Sequence, residues 1–148
     1  MAGYYRQTFL DTARRRVREA ESLLSVPKVR SCDGAVACAL LASECALKAL
    51  LLFGYNADED KELPLKIWEN CFRGKAGHAI QRLWEHVTPR CQSLIPRGAA
   101  FQAALAALDQ ADRYEHRYGK QRPAQFDAIQ FVEYAKTLCL CVSEVLPS

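Results

Sequence analysis

Two groups of side chains in this sequence pair residue types that could do chemistry. Arg73 and His78 bracket four residues in Arg73-Gly-Lys-Ala-Gly-His78. A histidine moves protons near pH 7 and an arginine steadies charge developing on a phosphate, so the pair suits attack on a phosphodiester. The run Arg113-Tyr114-Glu115-His116-Arg117-Tyr118 interleaves cations with aromatics, a composition that fits phosphate contact combined with base stacking. The remaining combination, Arg82 with His86, leaves only three residues between the partners. Each group also has a structural reading. His78 at a helix start caps or bonds a loop carbonyl. Arg113 and Tyr114 near a helix end put a cation at the carbonyl end of the dipole, and the whole run reads as a solvated helix end.

Other chemistries lack their residues. The chain has no Gly-rich phosphate loop, no G-x-S-x-G elbow and no carboxylate–histidine metal array. The seven cysteines, Cys32, Cys38, Cys45, Cys71, Cys91, Cys139 and Cys141, are odd in number and include no CxxC pair. They read as reduced packing thiols in a reducing compartment, with no metal and no cofactor expected.

The elements that must position these residues are helical. The first helix is expected over about 5–24, with Phe9, Ala13, Val17, Ala20 and Leu24 as its stripe and arginines over the remainder. The second is expected from an N-cap at Asp33 to Phe53, stopped by Gly54. An acidic stretch over 55–64 reads as a solvated loop, followed by a short helical turn over 65–72. A third helix over 78–87 places Ile80, Leu83, Trp84 and Val87 on one face. It ends at Thr88-Pro89, and an irregular connection closed by Pro96 follows. The fourth runs from about Gly98 to Tyr114 on Phe101, Ala104, Leu105, Leu108 and Ala111. The fifth starts near Pro123 and uses Ile129, Val132, Ala135, Cys139, Val142 and Leu146. No stretch alternates as a strand does. The expected fold is all-α, an antiparallel up-and-down bundle of about five helices in a single domain over 1–148.

At 148 residues the chain is long enough to bury about 68–70% of its unfolded surface without a covalent staple. Half of its residues are hydrophobic and a quarter charged, which excludes a disordered or low-complexity chain. A net charge of +3 is too small to imply nucleic acid by itself. From Ala35 to Phe53 only Ser43, Glu44 and Lys48 are polar, a length that could span a bilayer. Glu44 and Lys48 stand four apart with the acid first, and Cys38, Ala42, Cys45 and Ala49 form a small-residue seam, so a core helix and no membrane are expected. Met1 to Arg6 lacks the basic and apolar regions of a signal peptide, which makes a cytoplasmic location the expectation.

The stretch Leu40-Leu41-Ala42-Ser43-Glu44-Cys45-Ala46-Leu47-Lys48-Ala49-Leu50-Leu51 resembles the second helix of the HEPN domain family. Arg18 to Leu24, Gly77-His78-Ala79-Ile80 and Asp112-Arg113-Tyr114 are similar to other family segments in the same order. The resemblance covers about Ala13 to Val145. It implies a helical, dimerising module that accompanies nucleotidyltransferases in toxin–antitoxin or antiviral defence systems. The catalytic members are metal-independent ribonucleases with an R-x(4–6)-H motif, which Arg73 and His78 match literally. Here the residue after the arginine is Gly74 instead of a polar one, and the motif precedes the third helix instead of falling later. The leading expectation is therefore a non-catalytic module that binds a protein or RNA partner, with Arg113, Tyr114, His116, Arg117 and Tyr118 as candidate RNA or ligand contacts. The alternatives are a ribonuclease using Arg73 and His78, and a bundle holding a nucleotide or small ligand between its helices. A homodimer is expected because Leu40, Leu41, Leu47, Leu50, Leu51, Leu52 and the alanines of 99–107 exceed what one small bundle can cover.

Overall fold

The computed structural model describes residues 4–25, 29–72, 80–95, 99–113 and 125–146. Among them are seven α-helices and no strand: α1 Tyr4–Leu24, α2 Val29–Gly54, α3 Leu65–Cys71, α4 Ile80–His86, α5 Pro89–Leu94, α6 Ala99–Arg113 and α7 Gln125–Val145. The all-α class holds. The helix count exceeds the expected five because the chain between α2 and α6 carries three short helices.

Leu10, Ala13, Val17 and Ala20 are the buried ridge of α1, spaced three, four and three apart. Phe9 and Leu24 lie half-buried at its edges. That ridge faces α2. Arg6 reaches Asp58 just beyond the C-terminal end of α2, while Leu23 lies beside Gly34 near its start. Low numbers on α1 thus meet high numbers on α2, and the two form an antiparallel hairpin. In α7 the buried residues are Ala128, Val132, Ala135, Leu138, Cys139 and Val142, with Leu146 buried just past its end. Ala128 clusters with Cys32 and Val36, and Cys139 Sγ lies 3.7 Å from the Ala42 carbonyl, so α7 runs parallel to α2, not opposite to it as the expected up-and-down order would have it. Ile129, expected on the buried stripe, is 41% exposed, and Ala128 takes its place.

α2 packs chiefly against α1 and α7, with α4, α5 and α6 covering the rest. Every residue from Ala42 to Leu52 is buried, so this helix is apolar all round because it has neighbours all round. It begins at Val29, and Asp33 lies inside it instead of capping it. It also runs through Gly54. The chain turns at Asn56, the one described non-glycine residue with positive φ (52°). The Ala57 N–H donates to the Leu52 carbonyl and the Asn56 N–H to the Phe53 carbonyl, the bond pair of a Schellman cap. Gly54 is needed for another reason: a Cβ there would lie 2.8 Å from Thr88 Oγ1 and 3.2 Å from Cys91 Sγ. α5 was not expected, yet Thr88 is its N-cap, accepting from the Cys91 N–H, and Pro89 opens its first turn.

The acidic loop is pinned, not merely solvated. Ala57 and Leu63 are buried, Trp68 Nε1 donates to Asp60 at 2.8 Å, and a 3-10 turn spans Asp60–Glu62.

Candidate functional site

Arg73 and His78 lie outside the described residues. Arg113 ends α6, but its side chain lies outside them too, as do Tyr114, His116, Arg117 and Tyr118. What the structure does fix is the chain on either side of 73–79. On one side Phe72 stacks edge-on against Phe9, ring centres 6.0 Å apart. On the other, Ile80 is buried and Asp109 Oδ1 accepts the Gln81 N–H at 2.9 Å. In the alternative pair, His86 Nδ1 is 2.8 Å from the Arg82 carbonyl of its own helix.

One polar constellation is built beside Phe72. Lys48 Nζ bonds Glu44 Oε1 at 2.8 Å and sits 5.1 Å from the centre of the Phe72 ring. Helical spacing brings the acid and the amine onto one face of α2, and α3 brings Phe72 over them. Both ions are almost out of solvent, with Lys48 7% and Glu44 9% exposed. A charge so placed is held by its partner and by the ring face. Cys71 beside it is pushed up to about 11 by burial, as is Cys45, where the Glu44 carboxylate adds to the effect. Burial likewise pushes Cys139 up to about 12. Such thiols stay protonated at neutral pH and are poor nucleophiles.

A second constellation lies where α1 meets the start of α2. Arg15, Arg18, Glu19, Ser22, Leu23 and Cys38 line an open groove of about 510 Å³. Arg15, Arg18 and Ser22 follow one another at three and four residues, which puts them on one face of α1. Arg16 Nη1 bonds Glu19 Oε2 at 2.7 Å, and Cys38 Sγ approaches the same oxygen at 3.9 Å. Arg16 Nε is buried without a hydrogen-bond partner among the described residues. Sequence reasoning saw these arginines only as the solvated side of the first helix. Their shared face was readable from the spacing, but the opposing Cys38 was not, because it comes from another helix.

All seven cysteines are free thiols. Among the described residues no three His, Cys, Asp or Glu side chains converge as metal ligands. One helical stretch, Cys32–Gly54, is long and apolar enough to cross a membrane, and it lies mostly buried inside the fold. No family model, curated protein or solved structure matches the chain.

Proposed function

We propose that the chain is a HEPN-like helical module that does not itself cut RNA, pairs with a second copy and binds a protein or RNA partner. The observation that carries the reading is α2. From Ala42 to Leu51 the stretch that resembles the family's second helix is buried at the centre of the described helices, and its Glu44–Lys48 pair is sealed under Phe72. Arg18 to Leu24 closes α1, as the resemblance requires of the first helix. A nucleotidyltransferase of a defence system is the partner class that the resemblance implies.

Self-pairing draws on what α2 and α7 leave uncovered. The fold itself buries Leu47, Leu50, Leu51 and Leu52 completely, so these leucines supply no interface. What remains is Leu41 at 36%, Ile129 at 41% and Leu140 at 56% exposure. Ile129 and Leu140 are eleven residues apart, three helical turns, and share a face of α7. Leu41 and Leu140 directly adjoin Ala42 and Cys139, which touch across the α2–α7 seam. Exposed leucines along one seam are the kind of surface that a second copy covers.

Incubating the pure protein with labelled RNA and no metal tests the non-cutting half. Intact RNA is expected. Cleavage that disappears in both Arg73→Ala and His78→Ala would establish the nuclease reading instead.

A further inference from the structure

The α1–α2 groove has a charge balance that calls for a ligand of its own. Of the six described residues lining it, Glu19 alone is acidic, and Arg16 neutralises it from the same helix. Arg15 and Arg18 are exposed and form no ion pair among the described residues. Two uncompensated guanidiniums therefore border an open cleft that Leu23 lines from the same helix and Cys38 from α2.

The occupant follows from number, size and shape. Each guanidinium offers a fork of N–H donors matched to carboxylate or phosphate oxygens. Two guanidiniums carry two positive charges, which the roughly −1.5 to −2 charge and three terminal oxygens of a phosphate monoester match more closely than the single charge of a carboxylate. Ser22, one turn further on the same face, supplies a hydroxyl at the edge. The open groove, about 510 Å³, has room for a small molecule. No aromatic ring is among the described lining residues, which offer bases no stacking platform.

We propose that this groove binds a small phosphomonoester, its phosphate held by Arg15 and Arg18 and its organic part lying along Leu23 and Cys38. The site belongs to one copy of the chain and stands whether or not the family reading holds.

Calorimetric titration of the full chain at low salt tests it, with AMP and glycerol 3-phosphate as probes and adenosine as the uncharged control. At least one phosphomonoester is expected to bind and adenosine is not. Arg15→Ala and Arg18→Ala should each weaken binding by about tenfold, the scale of one lost charged hydrogen bond. Arg14→Ala should leave it unchanged, since Arg14 points its charge at Asp11 and does not line the groove. Thermal melts confirm that the variants fold, as expected for exposed positions. Three results would overturn the proposal: no binding of either phosphomonoester by the wild type, equal binding of adenosine, or indifference to both arginine substitutions. A 5′-hydroxyl oligoribonucleotide that competes as well as AMP would also overturn it, because internal phosphodiesters would then be the ligand.

Discussion

Lys48 and Glu44 show how a polar pair survives in an apolar helix. Separating either from the other leaves an ion with almost no water to solvate it. Lys48→Ala is accordingly expected to cost about 3–5 kcal/mol in urea unfolding, as for other broken buried pairs. Replacing both residues together, as Glu44→Gln with Lys48→Met, should cost less than Lys48→Ala alone. A double replacement that costs the sum of the two single ones would contradict the pairing. The buried thiols set a second expectation at this scale. Cys45, Cys71 and Cys139 titrate near 11, 11 and 12 in the folded chain, against a reference value of 9.0. Between these limits the folded state binds more protons than the unfolded state, so unfolding free energy must fall as pH rises. The contribution is complete below pH 9 and lost progressively toward pH 12. Chemical denaturation at pH 8, 9 and 10 reads it, and a midpoint that rises over that range would refute the assignment.

The helices show which features spacing reveals and which it hides. The stripes of α4 and α6 were legible because their apolar residues repeat at helical intervals against a polar background. On α7 the phase slipped by one at the start, where Ile129 looked the better core residue. Ala128 is the buried one, packed against Cys32 and Val36 of α2. Gly54 was read as a stop by residue type, whereas its role depends on Thr88, more than thirty residues away, and no local pattern carries that. Thr88-Pro89 carried a start signal as well as a stop signal, and α5 was legible in principle. Gly54→Ala tests the packing account: it should destabilise by about 1–3 kcal/mol through the clash with the α5 cap. Thr88→Ala should cost about 1 kcal/mol through loss of that cap. If Gly54→Ala proves neutral by thermal denaturation, the close approach of α5 to α2 is wrong.

For the whole molecule, the buried centre and the open faces lead in different directions. One copy of the chain covers nearly all of α2, so of the expected apolar excess Leu41 on α2 and Ala99, Ala100, Ala103 and Ala106 on α6 stay exposed, while Leu65, Leu94, Ile129 and Leu140 are open elsewhere among the described residues. The candidate residues Arg73 and His78 were legible as a chemical pair, yet the helices that flank them establish only where the chain leaves Phe72 and re-enters at Ile80. The basic face of the groove was legible in the spacing of α1, and only the contribution of Cys38, which comes from α2, was not. Self-association is the property on which the module reading most depends. Leu140→Lys, on an exposed face, should abolish it without unfolding the chain. The measurement that decides is the solution mass of the wild-type protein by light scattering at micromolar concentration. A dimer predicts about twice the 16.6 kDa of one chain, and a mass at the single-chain value across that range would contradict the account.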